Sequence, residues 1–203
     1  MNDRPAKKII EMARRRVRPG RGSRVSVVRE PHGSYGAVPK LGNVLRRTPY
    51  IIVGGLATRL YMQERMTLDV DILVHQDDAE LAGQELTKGG AHKKGVLSIG
   101  GSTWLLPGKT MLDVIVLDEV WAREAIAHAV RSTDGLPYAD LPYLVLMKLK
   151  ASRVQDLADV SRMLGAAGEK ALTRVRKVIR KYALGDLQDL ESLISLGKLE
   201  ASS

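Results

Sequence analysis

An α/β fold is predicted for this chain of 203 residues, with a small mixed, twisted sheet flanked by helices and followed by a helical C-terminal part. Strand-like apolar runs alternate with helical patterns up to about residue 133, which is typical of an α/β domain. From Asp140 onward the apolar residues recur only at helical spacing. The first 47 residues are basic and rich in Gly, Pro and Ser. The chain therefore divides into a partly irregular arm (1–47), an α/β core (48–135) and a helical part (136–203).

The composition excludes several classes of site. With 44% hydrophobic residues the chain can bury a core, and the lack of cysteine excludes disulfides, thiolate metal sites and cysteine nucleophiles. The four histidines lack metal-ligand spacing, and we interpret each as a surface or loop residue: His32, His75, His92 and His128. No apolar run is long enough to span a membrane, and the N-terminus is charged where a signal peptide is apolar. We expect a soluble, cytoplasmic protein without a membrane partner.

The net charge of +9 is unevenly placed, because residues 1–49 carry 13 Lys and Arg against 3 Asp and Glu. Residues 1–18 fit a short basic helix that Pro19-Gly20 ends, and Val25 to Arg29 fit a short strand. Such an arm can neutralise the phosphates of RNA. It can equally be a solvated tail or pack around the core, and its Arg-rich composition also fits a transit peptide.

The core begins with a strand over Tyr50 to Val53, a Gly54-Gly55 turn and a helix over Leu56 to Gln63. Glycines between a strand and a helix let backbone N–H groups approach a phosphate, with the positive end of the helix dipole behind them. Thr58, and Arg59 near the middle of the helix, are candidate phosphate contacts or ordinary surface residues.

The next strand carries Asp69 and Asp71 among apolar residues. Alternate side chains on a strand point to the same face, so these two carboxylates project together. Paired carboxylates suit Mg²⁺, which prefers hard oxygen ligands. The alternative is a solvated strand face, although Asp is a poor strand former.

A third carboxylate, Asp113, is the only charge within its apolar strand, Lys109 to Leu117. A buried carboxylate needs a partner or a metal. Asp118 is its rival, but at the strand end it fits better as the N-cap of the following helix. Three further elements precede this strand and one follows it: a helix over Gln76 to Lys88, hairpin strands over Gly95 to Ile99 and Ser102 to Leu106 around Gly100-Gly101, and a helix over Glu119 to Val130.

A turn over Thr133 to Pro137 leads into the helical part, where Asp140 fits an N-cap. If the helix over Leu141 to Gly165 is continuous, intervals of 8 and 11 residues place Lys148, Asp156 and Asp159 on one face. The alternative for these three residues is an exposed salt-bridge network. Two more helices are predicted over Glu169 to Leu184 and Leu187 to Leu196, before a frayed tail.

These motifs resemble the nucleotidyltransferase superfamily, in particular the AbiEii-type toxins and related bacterial nucleotidyltransferases. The glycine turn and first carboxylates match at Gly54, Gly55, Ala57, Thr67, Asp69 and Asp71. Asp113 matches the third carboxylate of the superfamily. A second pattern of the relatives, on the first C-terminal helix, matches at Lys148, Ala151, Arg153, Asp156 and Asp159.

The resemblance implies transfer of a nucleoside monophosphate from an NTP to a hydroxyl acceptor, with Mg²⁺ or Mn²⁺ as cofactor. Implied catalytic residues are Asp69, Asp71, Asp113 and Lys148, of which the three aspartates would hold the metal. Implied nucleotide-binding residues are Gly54, Gly55, Thr58, Arg59, Thr67, Lys148 and Asp156. The implied acceptor is RNA, such as tRNA, within a toxin-antitoxin pair that supplies an antitoxin partner. A small aminoglycoside-like acceptor and a catalytically idle nucleic-acid or protein-binding module remain as alternatives.

Overall fold

The computed structural model describes residues 9, 11, 12, 15, 41–62 and 69–201. These residues form two compact units. The sheet unit contains residues 41–57 and 69–139, and the helical unit contains residues 58–62 and 140–201 together with Ile9, Glu11, Met12 and Arg15. The predicted strand over Val25 to Arg29, most of the predicted helix over 1–18, and Thr67 lie outside the described residues.

The sheet unit is built on a seven-stranded mixed sheet with the order β3-β4-β5-β2-β1-β7-β6. Its strands are β1 (Ile51–Val53), β2 (Val70–His75), β3 (His92–Val96), β4 (Gly101–Leu105), β5 (Met111–Leu117), β6 (Val130–Arg131) and β7 (Pro137–Tyr138). Its helices are α1 (Leu41–Val44), α2 (Gly54–Thr58), α3 (Ala79–Lys88, preceded by a 3-10 turn over Gln76–Asp78) and α4 (Val120–Ala127). Both α3 and α4 contact β2. The predicted α/β class, with a mixed sheet, flanking helices and a helical C-terminal part, is confirmed.

The centre of the sheet is the parallel pair β2 and β5, whose residues align from Val70 opposite Leu112 to His75 opposite Leu117. Every residue of β2 is buried, as expected for a continuous apolar run inside a sheet. On the other side β2 pairs with β1 in antiparallel register. The two strands that carry the predicted carboxylates therefore lie side by side.

The hairpin of β3 and β4 differs from its prediction, because β3 starts at His92 instead of Gly95 and the connection spans Leu97 to Gly100. The prediction followed apolar residues, whereas β3 is an edge strand with an exposed face. Lys93 and Lys94 lie in it, and charged side chains on an edge discourage pairing with another chain.

Other boundaries also moved. Strand β5 starts at Met111 because Lys109 has a φ of 66° and its N–H closes a turn onto Leu106. Glu119, with extended backbone, is the N-cap of α4, so the predicted capping role of Asp118 is wrong. The short strands β6 and β7 flank the predicted turn and were not predicted, because two residues are too few to show an alternation of apolar and polar side chains.

Helix α2 begins at Gly54 and ends at Thr58, so it starts earlier and ends sooner than predicted. The Thr58 carbonyl accepts the N–H groups of Tyr61 and Met62, which closes the chain into a turn. Arg59 therefore follows the helix instead of lying near its middle. With five residues, α2 contributes a smaller dipole than the predicted helix would.

The helical unit contains α5 (Leu141–Ala151), α6 (Val154–Gly165), α7 (Glu169–Tyr182) and α8 (Leu187–Ala201), with a 3-10 turn over Leu184–Asp186. The predicted N-cap is confirmed, because the Leu141 N–H donates to the Asp140 carboxylate at 2.9 Å. The prediction of one continuous helix over 141–165 is wrong, because Ser152 adopts a left-handed conformation with φ 57° and separates α5 from α6. Helix α8 extends to Ala201, so much of the predicted frayed tail is helical.

Helices α6 and α8 meet through backbone at two glycines. A Cβ atom built on Gly165 would lie 2.3 Å from the Gly197 carbonyl oxygen, and one built on Gly197 would lie 1.9 Å from that of Ser161. The Ser161 hydroxyl also donates to the Leu193 carbonyl at 3.3 Å. Only glycine permits so close an approach at this crossing.

In the N-terminal arm, Ile9 and Met12 are buried within the helical unit. Arg15 lies 3.9 Å from the Asp189 carboxylate of α8. Of the interpretations of the arm, packing around a core therefore holds at these positions. Within the described residues, no helix is both long and apolar enough to cross a membrane.

Candidate functional site

The main candidate site is the pair Asp71 and Asp113 in the sheet unit. They are direct cross-strand partners in the parallel ladder of β2 and β5, so both side chains leave the same face of the sheet. The exposed fractions are 7% for Asp71 and 2% for Asp113. Two carboxylates in this position repel one another unless cations or hydrogen-bond donors compensate them.

Thr103 supplies one such donor. It is the partner of Asp113 in the antiparallel ladder of β4 and β5, and its hydroxyl donates to Asp113 Oδ1 at 2.7 Å. The bond fixes the rotamer of the carboxylate. Thr103 was not predicted from the sequence, because a threonine in a hairpin strand is common and only the register identifies its partner.

Gly54 closes the other side of the site. Its φ is +64°, and a Cβ atom added there would lie 2.0 Å from Asp71 Oδ2. The start of α2 thus passes against the carboxylate of Asp71, and a side chain would occupy that space. Gly54 is half-buried, and Gly55, the next residue, is buried. The glycine turn and one predicted carboxylate are therefore neighbours.

The other residues predicted for the site do not share the direct strand pairing of Asp71 and Asp113. Asp69 is half-buried and lies one residue before β2 begins, so strand alternation does not dictate its direction. Thr58 is fully buried and Arg59 is half-buried. In the described part of the chain, Asp69, Asp71 and Asp113 do not form a group with ligand atoms mutually within 4.8 Å. The structure thus brings together two of the three predicted metal ligands.

In the helical unit, Lys148 is held between Asp156 and Asp159. Its Nζ atom lies 3.1 Å from Asp156 Oδ1 and 2.7 Å from Asp159 Oδ2. All three side chains are buried, with exposed fractions of 6%, 2% and 0%. The sequence predicted this grouping on one helix, whereas Lys148 comes from α5 and both aspartates come from α6. A surface salt-bridge network is excluded by the burial.

Arg153 adds a second cation to this cluster by binding both oxygens of Asp156, at 2.5 Å through Nε and 3.1 Å through an Nη atom. Burial alone would raise the pKa of Asp156. The hydrogen bond from Arg153 and the charge of Lys148 outweigh it, so the pKa of this carboxyl lies below its ordinary value. Asp156 therefore stays charged at neutral pH and orients Lys148.

A further group, His75, Asp77 and Asp118, lies at the end of β2. Within the described residues their ligand atoms come within 4.8 Å of one another, close enough to hold a metal ion. His75 is buried, so its interpretation as a surface residue is wrong, while His92 and His128 are exposed as predicted. Arg123 donates to Asp77 at 2.6 Å and lowers the pKa of that carboxyl. A guanidinium thus already compensates part of this group.

The helical unit also contains a cavity of about 250 Å³. Apolar residues form much of its lining, together with Tyr61, Asp140 and Arg174; they are Leu60, Leu141, Met163, Ala166, Ala167 and Ala171. Arg174 forms an ion pair with Asp140, and burial raises the pKa of Tyr61. None of the residues predicted for catalysis lines this cavity.

Comparison with known proteins gives only distant likenesses. No protein-family model matches the chain, and no curated protein matches it. Among solved structures, it is similar to ANT(2")-Ia in complex with adenylyl-2"-tobramycin, with 17% identity, coverage of 79% of this chain and 97% of that chain, and a TM-score of 0.44. A solution structure of the antibiotic-resistance factor ANT(2")-Ia matches with 17% identity, coverage of 77% and 85%, and a TM-score of 0.41.

The Thermotoga maritima CCA-adding enzyme complexed with tRNA matches with 16% identity over 78% of this chain and 48% of that chain, with a TM-score of 0.38. Likeness at this level does not transfer an activity from one protein to another.

Proposed function

We propose that this protein is a metal-dependent nucleotidyltransferase that moves a nucleoside monophosphate from an NTP to a hydroxyl acceptor. The observation that carries the proposal is the register of Asp71 with Asp113, with Gly54 against the Asp71 carboxylate. Two buried, adjacent carboxylates are the donor set that Mg²⁺ or Mn²⁺ prefers. The motif resemblance on the same residues supports the same chemistry.

The chain's own residues have distinct roles in this proposal. Asp71 and Asp113 hold the metal, and Asp69 completes the ligand set from the position just before β2. When bound, the ion supplies positive charge for the attacking oxygen and the leaving pyrophosphate. Backbone N–H groups around Gly54 and Gly55 hold phosphate oxygens of the NTP, as expected of glycines at the start of a helix. Phosphoryl transfer needs mainly such positioning and charge.

The finer parts of the proposal concern the nucleotide and the acceptor. Thr58, Arg59, Thr67 and Lys148, with Asp156 behind it, are proposed to contact the NTP. The acceptor is proposed to be RNA such as tRNA, because phosphates suit the basic N-terminal arm. The AbiEii-type resemblance extends this to a toxin that an antitoxin neutralises.

A catalytically idle binding module is the second candidate. Its supporting observation is that the Lys148 amine lies between two carboxylates that already satisfy it. A residue so engaged contributes to folding whether or not a nucleotide binds. The two candidates differ in whether any label is transferred.

The test incubates the purified full chain with each labelled NTP, Mg²⁺ or Mn²⁺, and either total RNA or an aminoglycoside. The Asp71→Asn/Asp113→Asn variant is compared with Asp77→Asn/Asp118→Asn, which removes two carboxylates from the other metal-capable group. We expect label in RNA with the wild type and the control. The first variant should lose more than roughly a hundredfold in rate, since changes behind metal ligands already cost about 10–100-fold.

Label in the aminoglycoside alone would replace RNA with a small acceptor. Absence of transfer to any acceptor, with NTP binding retained, would favour the idle module. If only the Asp77→Asn/Asp118→Asn variant lost activity, the metal site would be assigned to His75, Asp77 and Asp118 instead.

A further inference from the structure

Helix α7 carries a line of exposed cations that the proposed chemistry does not use. Lys170, Arg174, Lys177 and Lys181 follow one another at steps of four, three and four residues, which keeps them on one face of a helix. All four are exposed. We call these four residues the basic stripe; at about 1.5 Å per residue it is roughly 16 Å long.

Two other cations of this region, Arg176 and Lys198, form ion pairs within the helical unit, whereas Arg180 is exposed. Arg176 binds the Glu191 carboxylate at 2.7 Å, and Lys198 binds that of Glu169 at 2.7 Å. Both interactions lower the pKa of the carboxyl concerned. These two pairs lie on the side of α7 that meets α8.

Two of the four cations in the basic stripe lack such a partner among the described residues. In the described part of the chain, no hydrogen bond or ion pair engages Lys170 or Lys177. Arg174 pairs with Asp140, and the Lys181 ammonium lies 4.7 Å from the centre of the Tyr182 ring. Lys170 and Lys177, together with the exposed Arg174 and Lys181, therefore place positive charge along this face of α7.

The burial of the apolar side of α7 limits which class of partner the basic stripe can bind. Leu172, Val175 and Ile179 are buried, and no large apolar residue of α7 is fully exposed. A helix that lies on a membrane needs an exposed apolar face, and the centre of a protein interface usually contains aromatic or apolar anchors. A phosphate backbone needs only cations.

We infer that the basic stripe binds the phosphate backbone of RNA and so helps to hold the acceptor. This inference rests on the proposed function, which requires a hydroxyl acceptor. Four cations spread over roughly 16 Å can each contact a different phosphate of one strand. Contacts of this kind position a strand without reading its sequence.

The test measures binding of a fluorescent single-stranded RNA by anisotropy, with EDTA and without NTP, between 50 and 200 mM salt. The stripe variant is Lys170→Gln/Lys177→Gln/Lys181→Gln. The matched control is Lys88→Gln/Lys93→Gln/Lys94→Gln, which removes three exposed lysines from the sheet unit. Each lost phosphate contact should reduce the slope of log K against log salt concentration by about 0.7. The stripe variant should therefore have a slope smaller by about 2 and an affinity roughly tenfold lower.

The control should bind within about twofold of the wild type. Equal losses in both variants, or no loss in the stripe variant, would overturn the inference. A DNA strand of the same sequence that binds more tightly than the RNA would exclude RNA as the occupant. Nucleotide transfer is measured in a separate assay, so that the proposed enzymatic activity and the proposed RNA-binding surface are tested independently. If the protein transfers nucleotides but binds RNA equally well without the basic stripe, only this inference is contradicted.

Discussion

At the scale of single residues, the candidate site depends on two neighbours that hold its carboxylates in place. Thr103 donates a hydrogen bond to Asp113, and Gly54 leaves room for Asp71. Neither residue is assigned a role as acid, base or metal ligand in the proposed reaction. Both act by fixing where a carboxylate points, which makes them positioning residues.

Thr103→Val should lower the rate of nucleotide transfer by about 10–100-fold, because it removes the donor that orients a proposed metal ligand. Thr103→Ser keeps the hydroxyl and should retain most of the activity. The measurement is the dependence of the rate on Mg²⁺ concentration, where the valine variant should need more metal. Identical metal dependence in the valine and serine variants would show that the hydrogen bond does not position Asp113.

Gly54→Ala should impair both stability and activity. A left-handed backbone costs a non-glycine residue roughly 1–2 kcal/mol, and the new Cβ would meet the Asp71 carboxylate. Gly108→Ala is the control, since Gly108 has a φ of +90° with nothing within 4 Å of the added atom. Both Tm and the rate of nucleotide transfer are measured for the two variants. The control should have a lower Tm but an unchanged transfer rate. A Gly54→Ala variant with full activity would contradict the proposed site.

At the scale of elements, the Lys148 cluster joins α5 to α6 across the left-handed Ser152. Removing one partner of a buried ion pair costs about 3–5 kcal/mol, because the other charges remain buried without compensation. Lys148→Met should therefore reduce the free energy of unfolding by about that amount. Denaturant titration of the variant measures it.

A combined Lys148→Met/Asp156→Asn/Asp159→Asn variant should be more stable than Lys148→Met alone, since no buried charge is left unpaired. If the single variant costs less than about 1 kcal/mol, the cluster does not contribute to folding as its burial indicates. A transfer assay on the combined variant then tests whether Lys148 also contacts the nucleotide.

The elements also show which parts of the site were readable in the sequence. Asp113 was identifiable because a lone charge inside an apolar strand needs a compensating partner. Its register with Asp71 was not, because pairing between distant strands leaves no local trace. The break at Ser152 was missed since Lys-Ala-Ser-Arg contains neither Gly nor Pro, yet the grouping of Lys148 with Asp156 and Asp159 survived because two packed helices also bring them together.

At the scale of the whole molecule, hydrogen bonds and ion pairs lower the pKa of several carboxyl groups below their ordinary values. These are Asp77, Glu85, Asp156, Glu169 and Glu191. A carboxyl with a lowered folded pKa stabilises the fold above its unfolded pKa, about 3.9 for Asp and 4.3 for Glu. That stability is lost as the pH falls through the folded pKa.

We therefore expect Tm to be nearly constant between about pH 7 and pH 5 and to fall steeply below about pH 4. Asp156→Asn should flatten the acid limb, because Asp156 is the buried member of the set. Scanning calorimetry across this range makes the comparison. An Asp156→Asn variant with an unchanged acid limb would mean that this carboxyl does not contribute to the pH dependence.

The parallel pairing of β2 with β5 has a consequence for how the site comes into existence. Asp71 and Asp113 are separated by about 40 residues of chain, and the whole β3–β4 hairpin lies between them. Contacts between distant parts of a chain form late and slowly, because the intervening loop must first be closed. A chain in which β2 and β5 have not yet paired therefore lacks the candidate site, and the proposed transfer requires that pairing to form first.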